Sequence, residues 1–221
     1  MAVIIRNLVA ADITAAIALQ RRVYKTIPPF SPEQFQNLLN FFPEGQFAAE
    51  INGRLIGIAI SLVILWDDYN LHHTWESVTN KATFDTHNMN GRTLYGAEVC
   101  VAPSTRGQGA GRRLYKARRQ LCRAMNLKRI IAGGRLPGYR DYVNEMTPEE
   151  YAKRVIWGDI KDPVLGFQLD QGFSYCGILP GYLPTDPESV GNAALIVWLN
   201  PEHDPNLPTL PPPANLFKGK T

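Results

Sequence analysis

A glycine-rich turn between an apolar run and a basic segment constrains this chain more than any other stretch. The turn is Arg106–Gly111, RGQGAG, and it follows an apolar run that stops at Pro103. Proline ends a strand, and the apolar spacing from Leu114 to Cys122 is typical of a helix. Glycine lets another group approach the backbone closely. We therefore predict a strand–turn–helix unit in which the turn binds a ligand.

The chemistry of the turn favours a phosphate ligand. The first N–H groups of a helix lack partners inside the helix and lie at the positive end of its dipole, where anions bind. Cations follow in the next turns, namely Arg112, Arg113, Lys116, Arg118 and Arg119. The turn is not GxGxxG, and no lysine followed by Ser or Thr comes after Gly111, which disfavours the common dinucleotide and NTP motifs. The alternative is a turn that only caps the helix.

Composition indicates one domain and a local, not global, positive charge. The chain has 221 residues, 45 % of them hydrophobic, and a net charge of +3 from 23 basic and 20 acidic side chains. Nucleic-acid binders more often carry their excess charge over a whole face. Cys100, Cys122 and Cys176 make neither a disulfide framework nor a zinc pattern. With no signal peptide and no membrane-spanning run, we expect a cytoplasmic protein that binds neither nucleic acid nor membrane.

The remaining patterns predict alternating strands and helices. Predicted strands are Val3–Arg6, Gln46–Ile51, Leu55–Leu65, Ile130–Ala132, Ser174–Ile178 and Ala193–Leu199, and predicted helices begin near Asp12, Ser31, Thr147 and Pro163. Asn52-Gly53 indicates a hairpin turn. Thr147, Pro148 and Glu150 suggest a capping box. The Gly133–Arg140 stretch is predicted to be a loop.

Three segments lie outside this pattern. Residues 66–91 are long, aromatic and histidine-containing, as functional loops often are. The histidines lack the spacing of a metal motif, so we expect no metal. Residues 134–162 form a second insertion. We expect residues 1–200 to be a single domain and residues 201–221, rich in proline, to be an extended tail without a core of its own.

The order of elements, together with the turn, resembles the GNAT superfamily of acyl-CoA N-acyltransferases. The stretches THNMNGRTLYG, GGRLPGYRDY, MTPEEY, DPVLGFQLDQGF and AALIVWLNP further resemble acetyltransferase modules that are fused to nitrilase-type carbon–nitrogen hydrolases. The resemblance implies a mixed α/β (α+β) fold with a splayed central sheet flanked by helices. It also implies a separate hydrolase partner or a homodimer as possible assemblies.

The resemblance further implies acetyl-CoA as cosubstrate and assigns residues to it. The backbone of Val99 and Val101 would pair with the pantetheine arm. The pyrophosphate would bind Arg106, Gly107, Gln108, Gly109, Ala110, Gly111 and Arg112. Gly172-Phe173 matches a Gly-Phe pair of the family.

The resemblance implies direct transfer of an acetyl group from CoA to an amine. Glu98 is the first candidate for the general base, although a salt bridge or an anchor for the substrate amine is equally compatible with a carboxylate on a strand. The family commonly has a tyrosine acid four residues before the Gly of Gly-Phe, but Gln168 occupies that position. Tyr139, Tyr142 and Tyr175 are candidates to replace it, and each is also compatible with a packing role.

The acceptor amine is expected to bind between residues 66–91 and 134–162. Arg135 and Arg140 can hold a substrate carboxylate bidentately, or they can pair with Asp141, Glu145 or Asp159. Trp66 and Asp68 are further candidates for substrate binding, and Asp68 is also compatible with a solvated loop.

The sequence is therefore compatible with three functions. The first is an acetyl-CoA-dependent N-acetyltransferase that acts on a small or protein amine, and the second is a non-catalytic module that binds CoA or a partner. The third, nucleic-acid binding through Arg112–Arg123, ranks last because its affinity would need a broad basic face.

Overall fold

The computed structural model describes residues 2–69, 71–214 and 216–217. In this part of the chain six helices flank one seven-stranded sheet. The strands are β1 (Ile4–Asn7), β2 (Phe47–Ile51), β3 (Arg54–Ile64), β4 (Thr93–Val101), β5 (Arg129–Arg135), β6 (Ser174–Leu179) and β7 (Ala193–Leu199). The helices are α1 (Ile13–Val23), α2 (Pro32–Phe41), α3 (Trp75–Thr79), α4 (Ala110–Ala124), α5 (Pro148–Trp157) and α6 (Leu165–Asp170).

The sheet is mixed and opens in its centre. Its order is β1-β2-β3-β4-β5-β7-β6, and all neighbours are antiparallel except β4 and β5. That parallel pair extends only from Thr93↔Arg129 to Tyr95↔Ile131. Beyond it, β4 stays paired with β3 and β5 stays paired with β7. The two halves of the sheet therefore diverge after Tyr95, which gives the predicted splayed sheet.

A separate hydrophobic core covers each face of the sheet. Leu114 and Leu121 of α4 pack with Tyr151 of α5 and Leu165 of α6 on one face. Side chains of α1, α2 and the segment 66–91 pack on the other face. Alternation along the strands decides which side chains reach which face, so neighbouring residues of β4 and β5 face different helices.

Local sequence signals account for several of the turns and helix ends. Asn52 and Gly53 both have positive φ, 51° and 73°, as a two-residue hairpin turn requires. Ser31 caps α2 because its side-chain oxygen accepts a hydrogen bond from Gln34 N–H. In return, Ser31 N–H donates to Gln34 Oε1. Thr147 caps α5, but Glu150 forms an ion pair with Arg154 instead of completing a capping box.

The strand β5 is longer than the sequence predicts. Gly133, Gly134 and Arg135 were expected in a loop, yet they pair with Leu195, Ala194 and Ala193 of β7. Two consecutive glycines weaken a strand intrinsically, but their missing side chains admit other groups to both faces. The pairing with β7 thus overrides the local propensity of these glycines.

The proline-rich segment returns to the body of the domain. The buried Asn126 side chain donates to the carbonyl oxygens of Asp204 and Leu207, and its Oδ1 accepts from Asp204 N–H. Leu210 N–H donates to Met125 O, and Phe217 packs edge-on against Phe47 with ring centroids 5.1 Å apart. The described part of this segment is irregular and is anchored mainly by backbone groups.

Candidate active site

The glycine-rich turn has the backbone geometry of an anion site. Gly107 and Gly109 have φ values of 81° and 82°, a region that residues with a Cβ rarely adopt. Gly109 is the N-cap of α4, and no side chain of the described residues caps the helix. The N–H groups of Ala110, Gly111 and Arg112 lie in the first helical turn and therefore have no intrahelical acceptor.

The cations in and after the turn differ in exposure. Arg106, Arg112, Arg113 and Lys116 are exposed around the turn. Arg118, however, is 2 % exposed and lies under the sheet. Its guanidinium donates to Ser61 Oγ at 3.0 Å, to Ile60 O at 2.8 Å and to Glu98 O at 2.9 Å. Arg118 is therefore part of the interior, and the basic cluster near the turn is smaller than the sequence suggests.

The opening between β4 and β5 lies beside this turn. Among the described residues, Gly96–Val101 of β4 has a strand partner only on its β3 side, where Glu98 pairs with Ile60 and Val101 with Gly57. Val99 and Val101 pack on the α4 face. The free edge of β4 leads towards the N-terminus of α4, so an extended ligand arm can lie along it with its anionic end at the turn.

Glu98 faces the opposite side of the sheet and bonds with Tyr24. The Tyr24 hydroxyl donates to Glu98 Oε1 at 2.7 Å and lies 3.4 Å from Val99 O. Burial raises the pKa of Glu98, although the bond from Tyr24 opposes the shift. Burial and the nearby Glu98 charge raise the pKa of Tyr24, which keeps its proton. A carboxylate with a raised pKa at the sheet opening is suited to accept a proton.

Arg135 is already paired inside the protein. Its guanidinium donates twice to Asp186, at 2.7 and 2.6 Å, and once to Glu188 at 2.7 Å, and it lies 5.3 Å from the centre of the Tyr24 ring. Burial lowers the pKa of Arg135, but the bonds to Asp186 outweigh it and the net shift is upward. Arg135 thus already holds two carboxylates of the protein itself, and its role in binding a substrate carboxylate stays a prediction. Its partners also differ from the three acids expected.

Two consecutive glycines of β5 receive side chains from opposite faces. A Cβ at Gly133 would clash with the Tyr182 ring, and a Cβ at Gly134 would clash with the Gln168 carboxamide. The Tyr182 hydroxyl is hydrogen-bonded to the Tyr95 hydroxyl. Both glycines lie in the part of β5 that has left β4, so the two incoming side chains flank the sheet opening.

The tyrosines predicted to replace the missing acid have packing environments. Tyr139 is 4 % exposed, packs tilted against Tyr151 with ring centroids 5.5 Å apart, and donates its hydroxyl proton to Met146 O. Tyr142 packs on the same Tyr151 ring. Tyr175 is half-buried on the edge strand β6, and burial raises its pKa. Tyr139 is accordingly a core residue, and its assignment as the acid is not supported.

The predicted substrate residues are spread over the molecule. Trp66 packs edge-on against His73 and under Arg129, with distances of 5.2 and 5.6 Å. Asp68 is exposed. Arg140 is exposed as well, and its backbone N–H donates to Glu188 O. Of these three, only Arg140 and Asp68 present a charged group to solvent.

The two insertions do not face each other. Val78 and Phe84 of segment 66–91 belong to the core on the α1 side, whereas Tyr139 and Tyr151 of segment 134–162 belong to the core on the α4 side. A cavity that reaches Tyr24, the hydrogen-bond partner of Glu98, is instead formed by the α1–α2 connection. It measures about 270 Å³ and is lined by Arg21, Tyr24, Lys25, Thr26, Ile27, Pro28 and Pro29. Gln20 fixes this connection by accepting from Phe30 N–H.

A second cavity adjoins the turn. It measures about 330 Å³, and its lining includes Gln108 and Thr105 as well as Arg22 and Arg54.

In the described ranges no group of three or more His, Cys, Asp or Glu residues is arranged to hold a metal ion. Within the same ranges no helix combines the length and apolarity that crossing a membrane requires. Burial lowers the pKa of His87 to about 4, and this histidine accepts a bond from Val63 N–H.

Sequence reasoning missed the positions of four side chains that surround the opening: Tyr24, Tyr115, Arg118 and Tyr182. Tyr24 and Tyr182 come from segments far along the chain from Glu98 and carry no motif, whereas Tyr115 and Arg118 were expected only as part of the helix that follows the turn. The Gly133-Gly134 pair was the one available signal, because adjacent glycines in an apolar run indicate close approach by other groups.

Fold and site together define a class of protein: a mixed α/β domain whose sheet opens beside an uncapped, basic helix. The chain belongs to the acetyltransferase (GNAT) family, whose family model matches residues 15–139.

Two relatives from Bacillus subtilis (strain 168) extend the match over most of the chain. The "Uncharacterized N-acetyltransferase YkwB" is 34 % identical over 205 residues, which are 90 % of this chain and 89 % of the relative. The "Probable hydrolase YhcX" is 44 % identical over 202 residues, 91 % of this chain but 39 % of the relative. The chain thus spans well under half of YhcX.

The fold also matches a solved structure of a GNAT-like decarboxylase, GphF, in complex with isobutyryl-CoA. The TM-score is 0.76 at 21 % identity, and the match covers 89 % of this chain and 98 % of the other. At this identity the likeness shows the fold alone.

Proposed function

We propose that this protein is an acetyl-CoA-dependent N-acetyltransferase that acts on a primary amine. One observation carries the proposal: the parallel pairing of β4 and β5 stops at Tyr95, which leaves Glu98 at an opening that leads to the uncapped end of α4. GNAT proteins use an acyl-CoA and an acceptor, and this arrangement offers a place for both.

In the proposed mechanism, the thioester lies in the opening and the acceptor amine approaches from the cavity at the α1–α2 connection. Glu98 accepts a proton from the amine, directly or through water, as its nitrogen attacks the thioester carbonyl carbon. Tyr24 holds the carboxylate oriented by its 2.7 Å hydrogen bond. Collapse of the tetrahedral intermediate then breaks the C–S bond and releases CoA.

The proposed binding of the cosubstrate relies on the backbone. N–H groups of the first turn of α4 would meet the pyrophosphate, with Arg106 and Arg112 as exposed cations beside them. Val99 and Val101 offer the free edge of β4 to the pantetheine amides. The acetyl group is the specific part of the proposal, since the GphF complex contains a larger acyl group.

The experiment is an acyl-transfer assay with acetyl-CoA and a broad panel of small amines and peptides. Released CoA and acetylated product are both measured by mass spectrometry, and longer acyl-CoA and carboxyacyl-CoA are included as competing donors. We expect amine-dependent acetyl transfer that Glu98→Gln slows by roughly 100-fold or more. Preference for another acyl donor would correct the acyl group, and CoA release without acylated amine would overturn the proposal.

A second candidate is a module that binds CoA without catalysing transfer. Gln168, which is buried at the position of the family's usual tyrosine, favours it because an amide cannot donate a catalytic proton. This candidate predicts that acetyl-CoA raises the melting temperature while no amine in the panel is acetylated. The 39 % span of YhcX supports proposing a hydrolase as the partner of such a module.

A further inference from the structure

Two buried polar side chains on the α4 side of the sheet have no role in the mechanism so far. Tyr115 of α4 is 5 % exposed and Gln168 of α6 is 6 % exposed. Gln168 Nε2 donates a hydrogen bond to the Tyr115 hydroxyl oxygen at 3.1 Å. Gln168 Oε1 has no hydrogen-bond partner among the described residues. A buried amide oxygen without a donor is costly, so this one points to a group that arrives with a ligand.

The pair lies at the sheet opening. The Gln168 carboxamide occupies the space that a Cβ of Gly134 would take, and Gly134 belongs to the part of β5 that has separated from β4. From this side, Gln168 and Tyr115 approach the same opening that Glu98 and Tyr24 approach from the α1 side. A thioester in the opening would therefore lie between the two pairs.

The Tyr115 side chain is held in place but keeps a proton to donate. Its ring packs edge-on against Phe167 and Phe173, with centroids 5.3 and 5.5 Å away. The Arg118 guanidinium, which also donates to Glu98 O, lies 5.7 Å from the ring centre. Since Gln168 donates to the hydroxyl oxygen, the hydroxyl proton is left to donate elsewhere, and it has no acceptor within the described ranges.

We propose that Tyr115 is the general acid for the sulfur of the departing CoA and that Gln168 is the residue that positions it. This inference rests on the proposed acetyl transfer. As the C–S bond breaks, its electron pair moves to sulfur, and Tyr115 gives sulfur its hydroxyl proton. The proton that Glu98 took from the amine returns to the tyrosinate through water, so that one amine and one thioester yield one amide and one thiol.

The chemistry of the pair suits this role. Burial raises the pKa of Tyr115, so the hydroxyl keeps its proton at neutral pH until the thiolate forms. The N–H of Gln168 stabilises the tyrosinate that forms for a moment. The acid function thereby moves from α6 to α4, and glutamine at position 168 acts as its support.

Three tyrosine-to-phenylalanine variants test the assignment with matched chemistry: Tyr115→Phe, Tyr139→Phe and Tyr175→Phe. Phenylalanine keeps the ring and removes only the hydroxyl. We expect Tyr115→Phe to lower kcat about 100-fold, the low end for general acid catalysis, with unchanged binding of acetyl-CoA by calorimetry. The other two variants should stay within about threefold of wild type.

Gln168→Leu tests the positioning role. It also gives an independent test of the acid assignment if Tyr115→Phe does not fold. Leucine removes the donor to the Tyr115 oxygen, which raises the pKa of that hydroxyl. We expect kcat to fall about tenfold and the alkaline limb of the kcat–pH profile to move to higher pH, with KM for acetyl-CoA unchanged.

The outcomes separate the two proposals. Full activity of Tyr115→Phe, or a lowered kcat of Gln168→Leu without any change in the pH profile, overturns the acid assignment alone. Absence of acetyl transfer by the wild type overturns the proposed function and this assignment with it.

Discussion

The two ends of the β4–β5 opening are built on different physical principles. The turn is exposed from Arg106 to Gly109 and relies on backbone N–H groups, two glycines with positive φ and the exposed cations beside it. The centre of the opening relies on partly or fully buried side chains that contact one another, with Tyr24 on Glu98 and Gln168 on Tyr115. The proposed binding end thus depends on backbone conformation, whereas the proposed proton-transfer centre depends on contacts between side chains.

This difference determines how each end responds to substitution. An exposed cation at the turn is one of several and contributes little by itself, because water screens it. A buried hydrogen-bonded side chain at the centre has a partner that its loss leaves unpaired. Substitutions should therefore affect affinity gradually at the turn and turnover sharply at the centre.

The largest expected effect is that of Glu98→Gln. The amide keeps the shape but cannot accept the amine proton, so kcat for acetyl transfer should fall roughly 100- to 1,000-fold. Binding of acetyl-CoA should stay unchanged in calorimetry, because the turn is intact. Glu145→Gln, the same change on an exposed loop, is the control. If the variant instead bound acetyl-CoA more weakly with an unaltered kcat, the proposed separation of binding and proton transfer would be contradicted.

Gly109→Val should come next and should act on affinity. Valine at a φ of 82° is strained by about 1–2 kcal/mol, and relief of that strain distorts the first turn of α4. We expect the Kd of acetyl-CoA to rise about tenfold. Gly166→Ala in α6, where a Cβ meets nothing within 4 Å, is the control. An unchanged Kd would show that the turn does not bind the pyrophosphate.

Tyr24→Phe should change the pH dependence of turnover. The hydrogen bond from Tyr24 lowers the pKa of Glu98, so its loss raises that pKa further. Because the base must be ionised, the acidic limb of the kcat–pH profile should move to higher pH. Below the limb kcat should fall about tenfold, and well above it kcat should approach that of the wild type. A shift of the limb to lower pH would contradict the assignment of Glu98 as the base.

The smallest effect is expected at an exposed cation of the turn. Arg112→Ala should raise the Kd of acetyl-CoA about threefold in dilute buffer, and the difference should shrink in high salt. Lys153→Ala, which removes an exposed charge from α5, serves for comparison. A tenfold loss that persists in high salt would mean that Arg112 is a fixed, desolvated ligand of the phosphate.

The same contrast explains what the sequence predicts. The turn, its helix and the Asn52-Gly53 hairpin were predictable because glycine and asparagine mark positive φ within a few residues. The hydrogen bond between Tyr24 and Glu98 joins residues 74 positions apart, so no local sequence pattern predicts it. Likewise, Arg118 reads as one more cation of a basic helix, although α4 turns it inward under β3 and β4.

The partners of Arg135 also come from a distant part of the chain, although acids nearby in sequence were available. Nearby acids in sequence, such as Asp141, were plausible partners, but the β6–β7 connection brings Asp186 to the guanidinium. The face of β5 on which the arginine lies was settled by the pairing with β7, which extended the strand beyond its predicted end. Side-chain roles at the opening therefore depend on topology more than on motif.

The adjacent glycines of β5 place a constraint on how this sequence can evolve. Gly134 and position 168 share one volume, and Gly133 shares another with Tyr182. A side chain at 134 would require the Gln168 carboxamide to move or the residue at 168 to become smaller, so the two positions constrain each other. The residue at 168, and with it the proposed support of Tyr115, is thus constrained by a glycine on another element.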